Sequence, residues 1–223
     1  MLREFQKNQK IQRFYDSFLS STDIPQNYTI PNLPFHPQAP LTTDENWSIH
    51  EESCEEAALL LNHYITNNIA FDPDKMNVDI IAMNDFQKTH GIAEDKYSER
   101  YKKYFLKDLT NPYEMYSLLG MDYLGYTNTT ILMVRKPTIE NIQVFVANNH
   151  VLTVPMKYTK DLRNKFIRTE KTFHIINIVG YTNDEFITLD PGTKNGRYLA
   201  YPKQKLYESI QQNGDYFIAL KKR

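Results

Sequence analysis

The chain has 223 residues, with 26 Lys plus Arg against 27 Asp plus Glu and a net charge of −1; this balance excludes a strongly basic nucleic-acid binder and an acidic tail. Apolar residues make up 41%, and the 16 Tyr and 12 Phe exclude a disordered chain. The length suits one domain with elaborations, and a single cysteine excludes an internal disulfide.

Residues 2 to 20 place Ile11, Phe14, Tyr15 and Phe18 at helical spacing and predict an amphipathic helix. The segment has no apolar h-region, so no signal peptide is read, although a processed chain would look the same. Residues 23 to 46 hold Pro25, Pro31, Pro34, Pro37 and Pro40. Proline fixes φ and removes a donor, which predicts an extended, irregular segment. Leu33, Phe35 and Trp47 give it anchors, so it reads as a loop packed on the domain surface rather than a linker.

Residues 53 to 67 form the strongest predicted helix. Ser53 is a natural N-cap, and Glu56 three residues on completes a capping box. The apolar run within it, Ala57 to Leu61, falls far short of the roughly 20 residues of a membrane-spanning helix. Shorter helices are expected at Asp85–His90 and Tyr97–Leu106, from Asn111-Pro112 to a stop at Gly120, and from Pro137 to about Ala147. The last third changes period. Val151–Met156, His174–Tyr181, Phe186–Leu189 and Tyr216–Leu220 read as strands, with Asn183-Asp184 as a hairpin turn and Asp190-Pro191-Gly192 closing the third. Helices followed by an antiparallel meander give an α+β class.

Three residues carry a candidate chemistry. Cys54 starts the Ser53 helix, where free N–H groups and the dipole favour a thiolate. His174 opens one strand and Asp190 ends the next; both lie eight residues from position 182, so the hairpin brings them to one end of the sheet. A carboxylate beside an imidazole fixes its tautomer and raises its basicity. Each residue alone has a plainer reading: a core thiol, a structural histidine, a turn aspartate. Other motifs are weak. His50 and Cys54 lack the further ligands that zinc needs. Acidic neighbours dilute the basic and aromatic stretch Tyr97–Phe105, and no dinucleotide or P-loop fingerprint occurs.

The blocks Pro34-Phe35-His36-Pro37-Gln38-Ala39-Pro40, Ser53-Cys54-Glu55-Glu56-Ala57-Ala58, His174–Tyr181 and Leu189-Asp190-Pro191-Gly192-Thr193 resemble the peptidase C39-like family. These are papain-like cysteine peptidase domains related to bacteriocin-leader peptidases. The resemblance runs from about Pro34 to Tyr201. It implies a papain-like α+β fold, with the nucleophile helix packed on a C-terminal antiparallel sheet. Residues 1–30 would be an N-terminal helical extension and 31–223 the peptidase domain. It implies Cys54 as nucleophile, His174 as general base and acid, Asp190 as its orienting group and Gln38 as an oxyanion donor. The expected partner is a peptide or protein substrate, with no cofactor, no metal, no nucleic acid and no membrane span. A catalytically silent peptide binder, or an amidase or acyl transferase using the same triad, are the alternatives. Exporter-type relatives follow the cysteine with glycine, whereas Glu55 and Glu56 stand here. Helical geometry is expected to point both carboxylates away from the thiol, leaving the dipole and His174 to lower its pKa.

Overall fold

The computed structural model describes residues 16–20, 23–90, 114–159, 162 and 173–223. The helix expected over 2–20 lies almost wholly outside these residues, as does Tyr97–Leu106.

Strands β1 (Tyr28–Thr29), β2 (Ile131–Arg135), β3 (Leu152–Lys157), β4 (Phe173–Tyr181), β5 (Glu185–Leu189), β6 (Arg197–Pro202) and β7 (Tyr216–Leu220) form one antiparallel sheet. Its order is β2-β7-β3-β4-β5-β6, with β1 added on β4. The expected strands are present as β3, β4, β5 and β7, but β7 lies beside β3 rather than after β5. β2 and β6 carry weaker patterns and are additions to the sequence reading.

The helices are α1 (Asp44–Ile49), α2 (Cys54–Asn67), α3 (Pro73–Thr89), α4 (Ile139–Ala147) and α5 (Lys203–Gln212), with a π-helix at Glu114–Tyr123. α2 is helical because its apolar run is continuous, and Ala57 through Leu61 are all buried. It ends at Asn68, whose left-handed φ of 54° turns its N–H back to Ile65 and Tyr64. α3 starts a full three turns before the expected Asp85. Asp72 caps it through Lys75 N, and Pro73 occupies the first turn. Gly120 does not stop its helix, which continues to Tyr123. The expected capping box on α2 is absent. The Ser53 hydroxyl makes no cap bond and turns instead to His50 Nδ1 at 3.4 Å and Asn84 Nδ2 at 3.5 Å. α4 has the box that α2 lacks, through Thr138 and Asn141.

Both faces of the sheet are covered. On one face Ile176, Ile178, Val154 and Met156 pack with Ile142 and Phe145 of α4 and Leu206 and Ile210 of α5. On the other, Ile175, Ile131 and Ile218 pack with α2, Met76 and Ile80 of α3, and Met115 and Leu119 of the π-helix. This explains why β4 is buried along almost its whole length instead of alternating. Asn177 Nδ2 donates to Ala58 O at 2.9 Å and pins α2 against β4. Among the described residues no helix is long and apolar enough to cross a membrane. The arrangement is the expected α+β one: a helix that begins with Cys54, packed on a C-terminal antiparallel sheet.

Candidate active site

The β4–β5 hairpin sets the first half of the site. Asn177 faces Leu189 and Ile178 faces Thr188, with a bulge between Ile178 and Gly180. Continued one step, this register puts Asp190 opposite Ile176 and one diagonal from His174 on the same face. His174 Nε2 and Asp190 Oδ1 are 2.7 Å apart, with both side chains buried. The diagonal arises because the turn-side pairs Tyr181–Phe186 and Gly180–Ile187 centre the hairpin between residues 183 and 184 rather than at 182, and the bulge moves the pairing only part of the way back.

Asp190 is fully partnered. Oδ1 also accepts the Gly192 N–H at 2.8 Å. Oδ2 accepts from the Tyr158 hydroxyl at 2.9 Å and the Tyr201 hydroxyl at 2.5 Å. Burial pushes its carboxyl up, but His174, Tyr201 and Gly192 together hold it below the usual carboxylate range. Tyr158 does more than donate. Its ring stacks on the imidazole, with centroids 4.8 Å apart and planes 25° apart. Burial and Asp190 raise both tyrosine hydroxyls well above their ordinary range, so they remain donors. Gly192 is required by close approach: a Cβ there would stand 2.8 Å from His174 Cε1 and 2.9 Å from Nε2. Sequence reasoning missed Tyr158 and Tyr201. Nothing local marks them, because they reach Asp190 from β6 and from just past β3.

The thiol belongs to the second half. β4 pairs with β5 only from Asn177 onward, so the backbone of residues 173–176 is open on that side. Cys54 comes to this open stretch, where the backbone of Ile175, next along the strand from His174, favours the thiolate form. Facing Ile175 across the sheet, Pro155 has no N–H to offer. The thiol's side-chain hydrogen bond goes to Glu55 Oε2 at 3.0 Å, not to His174. Burial pushes the thiol well above its ordinary range, and Glu55 adds to the rise by charge and by hydrogen bond. The expectation that both carboxylates point away is therefore corrected. Glu55 has two methylenes, enough to fold back over the first turn, and it lies buried near Tyr216. The expected lowering of the thiol pKa is reversed chiefly by burial, to which the Glu55 carboxylate adds.

Glu56 does point away, into the α2–α3 interface. Gln87 Nε2 donates to its Oε1 at 2.7 Å, and burial raises its pKa to about 7.

Gln38 is buried in the proline-rich loop. Its main-chain N–H donates to Pro191 O at 2.8 Å, which ties this loop to the Asp190–Gly192 turn. Its side-chain amide donates to His50 O at 2.7 Å and Glu51 O at 2.9 Å, just before α2. Both amide hydrogens are thus engaged, and Oε1 is buried without a partner. His50 is held by Ser53 and by Asn77 Oδ1 at 2.8 Å. Among the described residues no group of three or more His, Cys, Asp or Glu could hold a metal ion.

Residues 32–217 match the Peptidase_C39 like family. The chain belongs to that family. No curated protein is significantly similar to it. Among solved structures it resembles a candidate C39-like peptidase from Bacillus anthracis, at 16% identity and TM-score 0.56, over 89% of this chain and 99% of that one. It is also similar to xylellain, a cysteine protease from Xylella fastidiosa, at 14% identity and TM-score 0.42, over 93% of this chain and 89% of that one. The first of these likenesses shows a shared fold. In this family member, then, the open edge of β4 brings together a thiol, a carboxylate-bound imidazole and the proline-rich loop.

Proposed function

We propose that this chain is a cysteine peptidase whose nucleophile is Cys54, with His174 as base and acid and Asp190 as its orienting group. The observation that carries this reading is the buried 2.7 Å His174–Asp190 contact at the strand end beside the chain's one cysteine. With Nε2–H donated to Asp190, the other ring nitrogen, Nδ1, is left to take a proton. The thiol proton passes to Nδ1, and Sγ attacks a peptide carbonyl. As the tetrahedral intermediate collapses, the imidazolium protonates the leaving amine. Water, deprotonated by His174, then hydrolyses the thioester and restores the thiol. Cys54 is the first residue of α2, so its N–H has no intrahelical partner and is one oxyanion donor. Gln38 is the second, once it releases one of the two carbonyls it now holds. No step in this scheme calls for a cofactor.

A second reading, a catalytically silent peptide binder, has one observation in its favour: the thiol bonds to Glu55 and is pushed up rather than down. Digestion of a peptide library by wild type and by Cys54→Ala, side by side, separates the two. The peptidase reading expects cleavage products with wild type and none with Cys54→Ala. Identical, undigested libraries in both arms would leave the binder.

A further inference from the structure

The Cys54–Glu55 contact has a consequence beyond the triad. Glu55 is 5% exposed, and its Oε2 sits 3.0 Å from Sγ. A thiol is a weak donor, and a carboxylate is a strong acceptor. In this pairing the thiol hydrogen is directed at oxygen, and the lone pair of the His174 ring is not engaged by it. The other groups that act on the thiol come from several elements. Glu56 shares its helix, Tyr158 lies over His174 from the end of β3, and Tyr216 reaches in from β7. Tyr216 feels Arg135 from β2, but also Glu55 and the thiol itself. His174 is committed to Asp190 through Nε2.

We propose that Glu55 is a positioning residue that holds the Cys54 proton in the resting site, so that the thiol waits in neutral form and turns to His174 only when Glu55 releases it. The role deepens the peptidase reading, and its consequence for turnover rests on that reading. The resting site then differs from a preformed thiolate–imidazolium pair. The thiol is protected, and a substrate that displaces the Glu55 carboxylate activates it.

The test is the pH profile of Cys54 alkylation by iodoacetamide, with thiolate ultraviolet absorbance followed in parallel. A single cysteine makes the alkylation site unambiguous, and the absorbance is read against Cys54→Ala, which carries the same 16 tyrosines. Wild type, Glu55→Gln and Glu55→Asp are compared, with folding monitored by thermal unfolding. Wild type should react appreciably only above the free-thiol pKa of about 8.5. Glu55→Gln removes the charge, so its profile should move toward acid, with a rate at pH 7 higher by up to about tenfold for each pKa unit lost. Glu55→Asp keeps the charge and should stay near wild type. Superimposable wild-type and Gln profiles would overturn the proposal. So would an Asp variant that moves as far as Gln, because packing rather than charge would then be responsible. If Glu55→Gln does not fold, the wild-type midpoint decides: at or above the free-thiol value of about 8.5 supports the proposal, and below it overturns it. Peptide digestion on the same preparations keeps the two claims apart. Failure to digest counts against the peptidase reading and leaves the alkylation result standing.

Discussion

The two halves of the site are built to different standards of satisfaction. The sheet half, His174 and Asp190, has every carboxylate lone pair occupied: His174 and Gly192 on one oxygen, Tyr158 and Tyr201 on the other. The helix half, around Cys54, leaves buried acceptors without partners at Gln38 Oε1, Glu56 Oε2, Asn84 Oδ1 and Gln87 Oε1. Its thiol faces a carboxylate rather than a base. A fully satisfied buried network fixes one geometry, while a half-satisfied one leaves protons and donors able to change places. In the proposed peptidase, the sheet half would set orientation and the helix half protonation.

The largest expected effect comes from breaking the sheet half at its centre. Asp190→Asn puts an amide where four N–H or O–H donors converge and loses control of the His174 tautomer. The expected fall in kcat is roughly 10³- to 10⁴-fold, the scale seen when a triad carboxylate is made neutral. Steady-state hydrolysis measures it, and a loss under tenfold would remove Asp190 from the mechanism.

Glu56 probes the other half through stability. Its folded pKa, about 7, lies above the ordinary value of 4.5. A group raised in this way contributes stability that is fully present below about pH 4.5 and is lost as pH rises through 7. That shift corresponds to something on the order of 3 kcal/mol for a fully buried group. Glu56→Gln mimics the protonated form and keeps an oxygen for the Gln87 Nε2 donor. Denaturant unfolding of this variant should lose the wild-type fall in stability between pH 4.5 and 7. A parallel slope in wild type and variant would show that Glu56 is not the group responsible.

Gln38→Ala should lower kcat by roughly 100-fold, the effect of losing one oxyanion donor. Because the amide also holds the His50 and Glu51 carbonyls, KM and the melting temperature are measured together with kcat. A fall in stability with kcat unchanged would make Gln38 a brace for the start of α2 and nothing more.

The smallest effect is a sharpening one. Tyr201→Phe removes one of four donors to Asp190, and Tyr158→Phe removes another while keeping the stack on His174. Each should cost about 1.5–3 kcal/mol in unfolding experiments, the range for a hydrogen bond to a charged group. If both are neutral, the sheet half is less tightly determined than its geometry implies.

How much of this was legible beforehand follows the range of the interactions. The α4 helix, the β7 strand and the β4–β5 hairpin are local patterns, and the sequence reading places them within a residue or two. His174 and Asp190 were found together because one short turn joins their strands. α3 was started late, since Asp72-Pro73 was not taken as a cap followed by a first-turn proline. α1 hides in the proline-rich segment, capped by Thr43. Tyr158 and Tyr201 converge on Asp190 through tertiary structure alone, and no spacing announces them. The Glu55 error is of another kind. Helical projection separates neighbouring residues by angle, but a long side chain in the first turn, with no preceding turn in its way, can fold back to its neighbour.

The central claim is that Cys54 forms a covalent acyl intermediate with a peptide. Acid-quenched intact-mass spectrometry during turnover of a cleaved peptide tests it most directly. The account predicts an adduct equal to the acyl fragment, mapped to Cys54 and absent from Cys54→Ala and His174→Ala. Peptide cleavage that proceeds in Cys54→Ala with no adduct in wild type would contradict it.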